Sequence, residues 1–201
     1  MPRTPAQLAQ VREESREKIL ASALALFAEH GYAATSVRMI AGEAGVSQGL
    51  LYNYYDGKAA LLRAIFERSM GDVWASFELA AGGATPAERI ERLVRGAFGI
   101  VRGNLAFWRL MYQLRMQPGV LAGLDEHVRA STGAIRTQLE ALLRAAGAAS
   151  PEVEARVLFA AIDGAAQHFA LEPDDYPLDA VSAALVDRFA MPCVTREEVE
   201  P

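Results

Sequence analysis

Cysteine, histidine and long apolar runs are all scarce in this chain, and each scarcity excludes something. Cys193 is the lone cysteine among 201 residues, so no intrachain disulfide can form. The three histidines (His30, His127, His168) are scattered, and no Cys/His spacing suits zinc. No metal and no cofactor are expected. No stretch of roughly 18 apolar residues is present, and residues 1–11 are polar rather than signal-like, which points to a cytoplasmic chain with no membrane partner. Paired carboxylates in a catalytic motif, a Ser/His/Asp or Cys/His signature and a P-loop are missing as well. No catalytic residue is assigned, and an enzyme is not expected. Alternation of Val, Ile and Thr is almost absent, which disfavours a sheet protein.

What is abundant is alanine and leucine, in a chain 52% hydrophobic and 22% charged, an ordinary composition for an all-α protein. Helical periodicity starts near Arg12 and places Ile19, Ala23, Leu26 and Phe27 on one face, with Gly31 as the stop. A short helix after Thr35 carries Val37, Ile40, Ala41 and Ala44. Gly45 breaks it, and Ser47 is an N-cap for a third helix through Leu50, Leu51 and Tyr54. Asp56 is placed to cap a long fourth helix with Leu62, Phe66, Met70, Val73, Trp74 and Phe77 on one face. Thr85-Pro86-Ala87-Glu88 reads as a capping box, and Asn104 caps a helix that ends before Pro118-Gly119. A long segment over 120–146, a helix opened by Ser150-Pro151, a loop at 172–177 and a last helix complete about nine helices, with no internal repeat.

Net charge is −5, unevenly distributed. Residues 1–68 hold eight Lys/Arg against seven acids, and the remainder holds twelve against eighteen. That asymmetry has the sign of an N-terminal nucleic-acid module, weakly. The stronger signal lies in the sequence from Val37 to Tyr55. Short helix, glycine, short helix is the shape of a helix-turn-helix. Ala41 is small where two helices would cross, and Gly45 suits a left-handed turn. Val46 and Leu51 point back to the core with Ile40. Ser47 and Gln48 then stand at the exposed start of the second helix, the end that faces base edges in such motifs. Gly49 inside a helix costs roughly 1 kcal/mol relative to alanine, which makes sense where backbone must approach DNA. An ordinary helix-loop-helix is the alternative.

The run IAGEAGVSQGLLYNYY over residues 40–55, followed by Lys58 and Leu61-Leu62, resembles the DNA-binding domain of TetR/AcrR transcriptional regulators. Ile162-Asp163-Gly164-Ala165 and the following loop resemble that family's C-terminal domain more weakly. The resemblance implies a helix-turn-helix domain over 1–60 and a ligand-sensing and dimerisation domain over 61–201. It implies a homodimer on a palindromic double-stranded DNA operator, more often a repressor, released by a small organic effector. Base-facing candidates are Ser47, Gln48 and Leu50, with Gln48 suited to adenine and Leu50 to a thymine methyl. Gly49 allows close approach, and Thr35, Ser36, Arg38, Tyr52, Tyr54 and Lys58 are the phosphate candidates. The recognition helix holds no Lys or Arg, and Asp56-Gly57 replaces the family's common Pro-Ser pair. Positive charge from an N-terminal arm with Arg3 is one remedy, a plain tail the alternative.

For the effector, Trp74, Phe77, Phe98, Trp108, Met111 and Tyr112 are candidate pocket walls, and Arg102, Asp163 and Gln167 candidate polar anchors. Each aromatic also fits a core position. For the homodimer, Ala161, Gly164, Ala165 and His168 on one helix and Val181, Ala184, Leu185 and Arg188 on the last are the interface candidates. Burial of those helices within one chain is the competing arrangement. Two other functions stay open: an all-α enzyme or carrier, and an interaction protein that has kept the fold and lost the operator.

Overall fold

A computed structural model describes residues 4–115 and 124–190. Among them the chain forms nine helices and no strands: α1 (Pro5–His30), α2 (Val37–Glu43), α3 (Gln48–Tyr52), α4 (Lys58–Ala81), α5 (Pro86–Gly103), α6 (Leu105–Arg115), α7 (Asp125–Ala145), α8 (Pro151–Leu171) and α9 (Leu178–Ala190). Arg3 and Pro118-Gly119 lie outside the described residues.

The expected helix starts are mostly met, with instructive exceptions. Helix α1 begins at Pro5 rather than near Arg12, because Thr4 and Gln7 form a reciprocal capping box. That first stretch lacks an apolar stripe, so periodicity missed it. At α5, Thr85 accepts from the Glu88 amide at 3.1 Å as expected, whereas the Glu88 carboxylate accepts from Ala84, one residue before the cap. Asp56 does not cap α4. The Gly57 carbonyl accepts the first helical bond, from Leu61 at 3.1 Å, and Gly57 has φ +129°, so the helix entry is built on glycine. Helix α3 ends at Tyr52, leaving Tyr54 outside it.

The described residues divide into two compact units. One draws on Met1–Ser69 and Arg109–Leu124, the other on Met70–Trp108 and Asp125–Pro201. The division between Ser69 and Met70 falls inside α4, which contributes to both units. In the first unit α1 packs on α2 and α2 on α3. Ile19, Phe27, Ile40, Leu51, Leu61 and Leu62 are fully buried there. In the second, α5 packs on α7, α8 and α9, with α7 on α8 and α8 on α9. Ile90, Val94, Leu139, Leu143 and Leu158 fill that core. At Gly96 of α5 an added Cβ would stand 3.5 Å from the Ser76 side chain of α4, an ordinary van der Waals contact. No described helix is long and apolar enough to cross a membrane.

Candidate nucleic-acid interface

The turn between α2 and α3 is set by its hydrogen bonds. Val46 donates to the Ala41 carbonyl at 2.9 Å and Gly45 to Gly42 at 3.1 Å, the paired bonds of a Schellman motif. Gly45 occupies its left-handed position at φ +67°. Ile40 and Ala41 from α2 and Leu51 from α3 are buried, with α2 packed on α1 and α3 on α2. What remains outside is the N-terminal edge of α3. Ser47, Gln48, Gly49 and Tyr52 are all exposed, and open space surrounds the Cα of Gly49. Leu50 is half-buried.

Ser36 and Ser47 are both helix caps. Their hydroxyls accept from Met39 at 3.2 Å and Leu50 at 3.1 Å. Each keeps its own O–H for an outside acceptor, so capping and phosphate or base contact are compatible. Arg38 is exposed, and Tyr52 keeps 53% of its surface. Tyr54 is half-buried beyond the end of α3.

Thr35 leaves the set of phosphate candidates. It is 1% exposed, and its hydroxyl donates to the carbonyls of Leu26 at 3.0 Å and Gly31 at 2.9 Å. It ties the end of α1 to the start of α2. Lys58 is likewise tethered: its ammonium donates to the carbonyls of Tyr32 at 2.7 Å and Ala33 at 3.2 Å and stands 4.7 Å from the Tyr32 ring centre. A lysine has three donors, so one remains beyond these two bonds. Sequence spacing did not reveal Tyr55, whose buried ring lies under the Arg16 guanidinium at 5.8 Å. Burial pushes the Tyr55 phenol up from its ordinary value, and Arg16 opposes that shift. Burial raises Tyr32 too.

The expected effector residues divide between the two units. Trp74 and Phe77 are half-buried with tilted rings 5.8 Å apart, Phe98 is in the core, and Trp108 meets Phe107 edge-on at 5.2 Å. Met111 and Tyr112 are buried in the other unit, with Arg115 5.4 Å from the Tyr112 ring. Asp163 is half-buried and Gln167 exposed. Arg102 is exposed and pairs with Asp179 at 2.7 Å. Of these candidates, Arg102 alone lines the open cleft described in this unit.

On α8 an apolar surface remains uncovered. Val153 and Val157 are 59% and 45% exposed, and Ala160, Ala161, Gly164 and His168 continue the same face. Ala184 and Arg188 are exposed on α9, where Val181 and Leu185 are half-buried. Ala165 belongs elsewhere: it is buried with Leu158 and Phe169 on the inner face of α8. Val153 and Val157 were missed, although they stand seven residues ahead of Ala160 and Gly164 respectively, a helical spacing that would have found them.

Residues 19–65 match the model of bacterial regulatory proteins, tetR family, and residues 86–192 match that of the BetI-type transcriptional repressor, C-terminal. The chain is 33% identical over 95 residues to the HTH-type transcriptional repressor KstR2 of Rhodococcus jostii, covering 47% of each protein. It is 33% identical over 86 residues to the repressor KstR of Mycobacterium tuberculosis, covering 42% of this chain and 39% of that one. The matches thus span less than half the length of these curated relatives. A TetR-like transcriptional regulator of Rhodococcus sp. RHA1 superposes with a TM-score of 0.75 at 26% identity, covering 94% of this chain and 96% of the other.

Proposed function

Because the chain belongs to the tetR family of bacterial regulatory proteins, we propose that it is a cytoplasmic transcriptional repressor that binds a palindromic operator as a homodimer and is released by a small organic effector. The observation that carries this reading is the exposed edge of α3 held on a Gly45 turn: Ser47, Gln48 and Gly49 free of packing duties, with Tyr52 beside them. Gln48 reads adenine, and Leu50 meets a thymine methyl. Ser36, Arg38, Tyr52, Tyr54 and the third donor of Lys58 hold phosphates on either side. The valine-lined face of α8 with the outer face of α9 forms the homodimer, which places two reading heads on the two half-sites. Trp74, Phe77, Phe98 and Trp108, all in the second unit, hold the effector.

Selection of random duplex DNA on the purified protein tests this. A two-fold-symmetric site should be enriched, and Gln48→Ala and Tyr52→Ala should each weaken it. Affinity should fall steeply with salt as phosphate contacts release counterions. Enrichment of no sequence at moderate salt, from protein stripped of bound small molecules, would remove the operator from the function.

A further inference from the structure

Helices α5, α8 and α9 meet at an open cleft of about 580 Å³ that the proposed repressor function does not use. That volume lies within the roughly 300–1,000 Å³ typical of small-molecule sites. Its walls are apolar: Phe169 from the end of α8, Pro173 and Pro177 from the connecting loop, and Leu178 from the start of α9. The loop is set before any ligand arrives. Tyr176 donates to the Glu172 carbonyl at 2.9 Å, Leu178 to Tyr176 at 2.8 Å, and Val181 to Pro177 at 3.0 Å. The Tyr176 ring stacks on His168 at 6.0 Å, nearly parallel, and two prolines fix their own backbone angles. A preorganised wall loses little entropy when something binds.

One polar feature interrupts these walls. The Arg102 guanidinium, in the last turn of α5, donates to the Asp179 carboxylate in the first turn of α9 at 2.7 Å. Both side chains are well solvated, 54% and 88% exposed, so the pair is held loosely. The Asp179 carboxylate therefore occupies the place that an incoming carboxylate would take. The same spot lies at the positive end of α9, where first-turn amides have no helical acceptor.

We propose that this cleft binds a small amphipathic monocarboxylate. Its carboxylate displaces Asp179 from Arg102, and its apolar body lies against Phe169, Pro173, Pro177 and Leu178. None of Trp74, Phe77, Phe98 and Trp108 lines the cleft, which shares only Arg102 with the expected effector residues. The test is calorimetric titration of octanoate into the purified full chain without DNA, which leaves the operator question untouched. Asp179→Asn removes the competing anion and should tighten octanoate binding by about threefold or more, while Arg102→Gln should weaken it by roughly tenfold. Octanol should not bind measurably. Circular dichroism verifies that both surface variants are folded. Equal octanoate affinity in parent and Arg102→Gln protein would overturn the proposal, as would millimolar octanoate failing to bind both the parent and Asp179→Asn.

Discussion

A hydroxyl can cap a helix, bridge carbonyls or meet a ligand, and burial decides which. Ser36, Ser47 and Thr35 are alike in sequence, yet the serines are exposed caps and Thr35 is sealed beneath the α1–α2 junction. Thr35→Val should therefore destabilise the first unit by about 1–2 kcal/mol in thermal melts, with any loss of operator affinity following from unfolding rather than from a lost contact. Gln48→Ala should do the opposite: an unchanged melt, and operator binding weaker by about 1–3 kcal/mol with relaxed preference at one base pair. Tyr32 and Tyr55 carry the clearest pH signature. Both phenols sit above the ordinary value of 10.0 because burial disfavours the phenolate. The stability gained by keeping them neutral is full below that value and is lost as pH rises through their folded-state values. An ultraviolet titration should show two late-ionising phenols, and Tyr55→Phe should remove one and soften the alkaline loss of stability.

At the scale of the element, the short helices α2 and α3 owe their geometry to one backbone angle. Seven and five residues are too few for stable isolated helices, so the turn and the buried Ile40, Ala41 and Leu51 must hold them. Gly45→Ala meets no steric neighbour, so its cost comes from φ +67° alone, about 1–2 kcal/mol. Denaturant melts should read that loss, and operator affinity should fall with it because α3 would turn out of register. Gly57 plays the same part at the entry to α4, where its φ of +129° is harder still for any other residue.

At the scale of the whole molecule, the outer face of α8 bears on assembly. Val153 and Val157 expose a β-branched stripe on α8 with small residues following, a surface that invites close helix packing against a second copy. Val157→Asp should leave the monomer folded, since Val157 is an exposed position on α8. Light scattering should then show a shift from dimer to monomer, and operator binding should collapse toward single half-site affinity. A dimer unaffected by this change would place the interface elsewhere.

Local chemistry made much of this legible in advance. Glycine at 45, a capping serine at 47, and apolar spacing from Ile19 to Phe27 are statements about short stretches of chain, and the helices and the reading motif followed from them. The resemblance over residues 40–55 supplied the role of that motif. Tertiary structure alone decided which side of each element would be wet. Thr35 went inside because the carbonyls of Leu26 and Gly31, at the end of α1 and just beyond it, accept from its hydroxyl, Asp56 lost its cap to Gly57, and Ala165 turned inward while Val153 and Val157 stayed out. Periodicity names the faces of a helix, but only packing against its neighbours chooses which face is buried.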